Sequence, residues 1–187
     1  MGRPFSPGEV IAWAQHVESL APAIMARGWP LTAMQPETET NSREYVWALQ
    51  PEGSCHVVVD AETRVIFAIF TGPAAQQHFE DVRGEGLLFT WETPLKELRE
   101  ASSPDLQAVF IDALGLVAPL EPQPEIVAAL HAHALRAVDR RLLNALLRTM
   151  ARLQWPQFVA SFEAVAARPE VDADVREAVA NRQVCRG

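Results

Sequence analysis

Cys55 and His56 are neighbouring residues of the kinds that serve as nucleophile and general base in acyl-transfer enzymes. They lie in a segment that reads as a β-strand, where successive side chains point to opposite faces of the sheet. The two side chains therefore cannot hydrogen-bond each other, and each would need a partner from elsewhere in the fold. The commoner interpretation is a small buried thiol beside an imidazole.

A second group of titratable residues, His78, Glu80 and Asp81, falls in a segment expected to form a short helix. It could supply a general acid or base, although the same residues are ordinary for an exposed helical turn. If the protein is an enzyme, we expect a pocket between two lobes that uses some of these three residues with Cys55 and His56. No Walker A, nucleophile-elbow or kinase motif occurs in the sequence.

Metal-binding patterns are weak in this chain. His131 and His133 are two residues apart, and on a helix their side chains would point about 200° away from each other. Cys55 and Cys185 are too far apart in sequence to match a metal-binding motif, and two cysteines are too few for a disulfide framework. We therefore expect neither a metal nor a cofactor.

Arginines are frequent in the last third of the chain and follow helical spacing. Positions 141, 148 and 152 are separated by seven and four residues, and 136 and 140 by four, so each group shares a helix face. Such a face can simply be solvated and paired with acids, or it can dock an acidic partner, because the planar guanidinium binds carboxylates. The candidate partner-binding residues are Arg136, Arg140, Arg141, Arg148, Arg152 and Trp155.

Charge divides the sequence near residue 122. Residues 1–124 carry 7 basic and 17 acidic residues, whereas residues 125–187 carry 9 and 7, within a formal net charge of −8. This acidity argues against nucleic acid as a partner, since phosphate binding depends on Lys and Arg. No apolar run is long enough to cross a bilayer, and the first residues lack a secretory pattern, so we expect no membrane association and a cytoplasmic location.

The predicted secondary structure that positions these residues is a helix and several strands in the first half of the chain and helices in the rest. Ser6-Pro7-Gly8-Glu9 is a strong helix start, and Val10, Trp13 and Val17 continue with helical spacing. A loop is expected over residues 33–42. Strands are expected over residues 45–49, 55–59, 65–70 and 86–91, with the third of them in a central position because it is apolar on both faces.

Helices dominate the rest. Thr93-Pro94 and Ser103-Pro104 predict two helix starts, and Gly115 a helix end. After a proline hinge over residues 119–124, the sequence predicts one long helix to Leu153 or two joined near Asp139. Residues 155–180 resemble part of a HEAT-type repeat, in which Asp174-Val175-Arg176-Glu177-Ala178 looks like the start of a second repeat. No clear second copy follows, so we interpret the resemblance as helix-pair packing.

The predicted fold is α+β: an N-terminal helix on an antiparallel meander of about four strands, followed by a helical lobe. The predicted lobes span residues 1–121 and 122–187, packed as one compact unit. The element order over residues 6–92 is similar to that of acidic secretion chaperones, from which the C-terminal helices depart.

The preferred function is non-enzymatic binding of another protein, as a chaperone, inhibitor, immunity factor or adaptor. The acidic lobe could steer a basic partner, and a homo-oligomer is possible. The enzyme described above is the first alternative, and a structural subunit of a larger assembly is the second.

Overall fold

The computed structural model describes residues 9–38, 41–50, 52–61 and 63–177. Contacts divide the chain into two compact units, Met1–Thr90 and Trp91–Gly187. The first contains the antiparallel sheet and the second the C-terminal helices, which confirms the α+β class. The predicted boundary at residues 121/122 lies inside the second unit, because helices assigned to the first lobe pack with the later ones.

The first unit, here called the sheet unit, has six strands and two helices among its described residues. They are β1 (Val10–Ala14), α1 (Val17–Ala26), β2 (Leu31–Gln35), β3 (Arg43–Ala48), β4 (Ser54–Val59), β5 (Ile66–Thr71), α2 (Ala75–Arg83) and β6 (Leu88–Phe89). The strand order is β2-β3-β4-β5-β1-β6, and every neighbouring pair is antiparallel. The sheet therefore exceeds the predicted four strands by two.

One additional strand, β1, occupies the segment predicted to begin the N-terminal helix. Residues Val10–Ala14 pair with β5 on one side and β6 on the other, and the helix follows only from Val17. All five residues of β1 are apolar, which is compatible with a strand as well as a helix, and pairing on both edges favours the strand. The predicted cap residues Ser6, Pro7 and Gly8 lie outside the described residues.

The other additional strand, β2, lies within and beside the predicted loop of residues 33–42. Leu31–Gln35 forms the sheet edge against β3, and all five residues are exposed. Thr32 Oγ1 donates to the Val46 carbonyl at 3.1 Å. Because all of its residues are exposed, β2 lacks the apolar alternation that identifies a half-buried strand. It forms a strand because its backbone pairs with β3. With β1 and β2 present, the chaperone-like element order does not hold.

The core of the sheet unit lies on one face of the sheet. Cys55 and Val57 of β4 and Ala68 and Phe70 of β5 are fully buried on this inner face. They form one cluster with the helix residues Leu20, Ile24, Phe79 and Val82. The central position predicted for β5 is confirmed, since it lies between β4 and β1.

The second unit, here called the helical unit, contains five α-helices of eight residues or more among the described residues. They are α3 (Glu92–Glu100), α4 (Pro104–Val117), α5 (Pro124–Arg136), α6 (Arg140–Leu153) and α7 (Val159–Ala166). A 3-10 turn covers Pro156–Phe158, and residues 173–177 are helical as well. The end of the HEAT-like stretch, residues 178–180, lies outside the described residues.

Polar caps explain several helix boundaries. Ser103 accepts a hydrogen bond from the Leu106 amide at 3.3 Å, and Asp139 accepts one from Leu142 at 3.0 Å. Asp139 thus separates α5 from α6, which confirms the second of the two predicted arrangements for residues 125–153. At the end of α5, Arg168 donates to the carbonyls of Ala134, at 3.1 Å, and Ala137.

Helices α4 and α6 are parallel and closely packed. Arg141 pairs with Asp105 and Arg148 pairs with Asp112, seven residues further along both helices. Contacts also join α3 to α5 and α5 to α7, so alternate helices are neighbours, as in stacks of helix pairs. Gly115 does not end α4 as predicted. It lies inside the helix, where its missing side chain admits Thr149 of α6.

The charge contrast seen in the sequence is smaller between the structural units. Residues 1–90 hold 5 basic and 11 acidic residues, a balance of −6, and residues 91–187 hold 11 and 13, a balance of −2. The difference arises because α3 and α4, which carry several acids, belong with the arginine-rich helices. Local arrangement of charge, more than the total of each unit, therefore decides what a surface can bind.

Candidate binding groove and polar network

A groove lies along α5 in the helical unit, where that helix faces α3 and α4. Its larger cavity has a volume of about 430 Å³ and includes Leu98, Arg99, Gln107, His133 and Arg136 in its lining. Three of the six α5 residues in its lining are alanine, at positions 128, 129 and 132. Because methyl side chains do not fill the space between helices, a cavity remains there.

A smaller cavity of about 240 Å³ continues this groove toward the start of α6. It shares Gln107, Ala132, His133 and Arg136 with the larger cavity and adds Val138, among others. We call the two cavities together the α5 groove. Arg136, at the end of α5, is exposed and lines both parts, so one of the predicted partner-binding residues lies at its centre.

The groove combines cationic, polar and apolar groups. The larger cavity is lined by two cationic residues, Arg99 and Arg136, and by one acidic residue, Glu125. In the smaller cavity the carboxylate of Asp139 is already engaged as the cap of α6. Val138, in the smaller cavity, is 80% exposed, and Leu135, which lies outside both cavity linings, is 79% exposed. Arginine next to exposed aliphatic side chains is suited to binding a segment that carries both carboxylates and apolar groups.

Two side chains in the groove are oriented by backbone carbonyls. The Nδ1–H of His133 donates to Ala129 at 2.8 Å, and the side-chain amide of Gln107 donates to Ala101 at 2.9 Å. His131, two residues before His133, instead hydrogen-bonds Ser161 and packs against Phe158. The two histidines therefore have separate surroundings, in keeping with their spacing. Among the residues that the structure describes, no group of three or more His, Cys, Asp or Glu is placed to hold a metal.

The remaining predicted partner-binding residues do not form one exposed strip. Arg140 is 70% exposed and pairs with Asp172, and Arg141 is 56% exposed and pairs with Asp105 at 2.8 Å. Three others are engaged in the helical unit: Arg148 in a largely buried pair with Asp112, Arg152 half-buried, and Trp155 buried with its indole N–H donating to Leu120. Their partner binding stays a prediction, with Arg136 best placed for it.

The residues of the predicted enzyme alternative do not converge. Cys55 is fully buried on the inner face of the sheet, and burial raises the pKa of its thiol to about 12. His78 donates to the Gln50 carbonyl at 2.8 Å. On the same helix, Glu80 pairs with Arg83 at 3.2 Å and Asp81 accepts from Gln77 at 2.8 Å. His78, Glu80 and Asp81 therefore each have a local structural partner, and Cys55 is enclosed in the core.

His56 has partners that the sequence interpretation missed. Its Nδ1 lies 2.6 Å from Glu44 Oε1, and its Nε2 lies 2.7 Å from Ser54 Oγ. Ser54 and His56 are two residues apart on β4 and so share a face, which the sequence could have indicated. Glu44 comes from β3, and only the register of the two strands brings it to His56.

The described residues thus form a six-stranded antiparallel sheet followed by a helical region. No family model, curated protein or solved structure significantly matches the chain. In the part of the chain that the structure describes, no helix is both long and apolar enough to span a membrane.

Proposed function

We propose that the protein binds another protein, and that the α5 groove receives a partner segment carrying acidic and apolar side chains. The observation that carries this proposal is the position of Arg136, which lines both cavities of the groove, together with the exposed Val138 in the smaller one. The non-enzymatic roles that fit are those of a chaperone, inhibitor, immunity factor or adaptor. A cytoplasmic location is part of the proposal, and the buried free thiol of Cys55 supports it.

An acidic occupant is favoured by the charges at the groove. Arg99 and Arg136 are exposed there, whereas the nearby Asp139 already accepts the amide of Leu142. A carboxylate entering the groove would gain charge-assisted hydrogen bonds from guanidinium groups. The exposed Val138 would at the same time lose contact with water against apolar side chains of the partner.

Selection from a library of random peptides of equal length tests this proposal while the natural partner is still unidentified. Peptides recovered by the full-length protein should be enriched in Asp and Glu relative to the starting library. The double variant Arg99→Glu, Arg136→Glu should lose that enrichment. The variant Arg141→Glu is the matched control, since Arg141 is also exposed but lies outside both cavities.

Two results would count against the proposal. One is recovery of peptides with no excess of acid. The other is an excess of acid that Arg141→Glu abolishes and the groove variant leaves intact, because the binding surface would then lie on α6.

A further inference from the structure

Three side chains on the outer face of the sheet form a continuous hydrogen-bonded row. Glu44 Oε1 lies 2.6 Å from His56 Nδ1, and His56 Nε2 lies 2.7 Å from Ser54 Oγ. The side chains of His56 and Glu44 are 18% and 33% exposed, and Ser54 is half-buried. A carboxylate, an imidazole and a hydroxyl in this order are the arrangement of orienting acid, general base and nucleophile in serine hydrolases.

The hydrogen-bond directions are consistent with a reactive serine. A carboxylate can only accept, so the Nδ1–H of His56 donates to Glu44. In a neutral imidazole this leaves Nε2 as the acceptor for the hydroxyl of Ser54. Thr71, which pairs with Ser54 across β4 and β5, fixes the serine further: its Oγ1 accepts the Ser54 amide at 3.0 Å and lies 2.8 Å from Ser54 Oγ.

Backbone packs closely on one side of this row, and apolar side chains lie on the other. Gly53 and Gly72 lie next to Ser54 and Thr71, and a Cβ at either would come within 2.3 Å of a backbone oxygen. The two backbone segments therefore approach each other closely beside the serine, and only glycine fits at positions 53 and 72. Across the sheet, Val46 and Ile69 are the direct neighbours of His56 and are half-buried. An apolar acyl group suits such a surface.

We propose that Ser54, His56 and Glu44 cleave carboxylic esters with small apolar acyl groups. Ser54 Oγ adds to the carbonyl carbon while its proton moves to His56 Nε2. The bond to the alcohol oxygen then breaks, and the leaving alcohol takes that proton. Water adds to the acyl group in the same way, with its proton passing to His56 and on to Ser54, so that a carboxylic acid is released and the serine is restored. Glu44 acts as a positioning residue.

A fluorophosphonate probe tests the proposal directly, because it forms a covalent bond with an activated serine and releases fluoride. The folded full-length protein should give an adduct at Ser54, located by peptide mass spectrometry, and should hydrolyse p-nitrophenyl butyrate. Ser54→Ala should remove both. The matched control is Ser161→Ala, since Ser161 also hydrogen-bonds a histidine, His131, but lies in the helical unit. That variant should behave as the unchanged protein.

Three further variants separate catalysis from structure. His56→Gln should lower the labelling rate by about 100-fold or more, as expected for loss of a general base. Glu44→Gln should slow labelling, because a neutral amide orients the imidazole less well than a carboxylate, and Glu44→Asp, which keeps the carboxylate, should recover part of the rate. An unchanged, folded protein that gives no Ser54 adduct would overturn the proposal without reliance on any variant. So would a labelling rate that is the same in His56→Gln.

Discussion

Asp112 and Arg148 form a two-pronged ion pair between α4 and α6, with Nε to Oδ1 at 3.2 Å and Nη2 to Oδ2 at 2.7 Å. Their side chains are only 6% and 14% exposed. The pair lies one heptad along both helices from the exposed pair of Asp105 and Arg141. Two arginines with the same helical spacing therefore have different environments: Arg148 forms a buried ion pair between helices, and Arg141 forms an exposed one.

The buried pair makes Asp112 important for stability. Asp112→Ala should lower the free energy of unfolding by about 3–5 kcal/mol, because the charge of Arg148 would stay buried without this carboxylate. Asp105→Ala is the control and should cost at most about 1 kcal/mol, since its pair is exposed on both sides. Urea unfolding of both variants measures the difference. Equal effects would contradict the structural role of the buried pair.

The contact between Gly115 and Thr149 predicts an overpacking effect. A Cβ at position 115 would lie 2.7 Å from Thr149 Oγ1 and 3.2 Å from two of its carbons. Gly115→Ala should therefore destabilise the protein by about 1–3 kcal/mol despite the better helix propensity of alanine. The same change made in a Thr149→Ala background should cost less. A cost that is independent of residue 149 would show that the helices adjust elsewhere.

The lowered pKa of Asp172 should make the stability of the helical unit depend on pH in the acid range. The hydrogen bond from Arg140 lowers its pKa, partial burial opposes this, and the hydrogen bond from Asn144 adds to the lowering. Because the folded pKa is below the unfolded one, the stabilisation is complete above about pH 4 and is lost as the pH falls through the folded value.

The Asp172 carboxyl resonance, followed by NMR, should titrate below the ordinary range, and Arg140→Ala should raise its midpoint. Asp172→Asn should weaken the pH dependence of unfolding in this acid window. A carboxyl that titrates at the ordinary value in the unchanged protein would contradict the account of this pair.

Cys55 should be chemically inert in the folded protein. Its side chain is fully buried and its thiol pKa is raised to about 12, so little thiolate is present or accessible at neutral pH. In a Cys185→Ser background, which leaves one thiol, reaction with an aromatic disulfide reagent should require unfolding. Rapid reaction in native buffer would contradict the placement of Cys55 on the inner face.

Local rules predicted the helical part of the fold better than the sheet. Ser103 and Asp139 marked helix boundaries because a cap depends on residues close in sequence. Strand β1 was missed because Val10, Trp13 and Ala14 fit helical spacing as well as strand pairing. Strand β2 was missed because its residues are exposed and only pairing with β3 sets them.

The candidate sites likewise have one part that local sequence predicts and one part that depends on contacts between distant segments. Arg136 could be chosen from helical spacing, but the alanines of α5 form a cavity only because α3 and α4 lie opposite them. The row of Glu44, His56 and Ser54 depends on cross-strand register, which pairs Val46 with His56 and brings Glu44 alongside. From sequence spacing alone, Ser54 and His56 can be predicted to share a face of β4. The contact of His56 with Glu44 cannot be predicted in this way, because Glu44 lies on another strand.

The most direct test of the proposed binding function is NMR mapping of an acidic, leucine-containing peptide recovered in the library selection. Addition of this peptide should shift the amide resonances of Arg99, Gln107, His133 and Arg136 most strongly, and Arg136→Glu should abolish those shifts. Shifts concentrated on the sheet unit, or shifts at the α5 groove that persist in Arg136→Glu, would contradict the account.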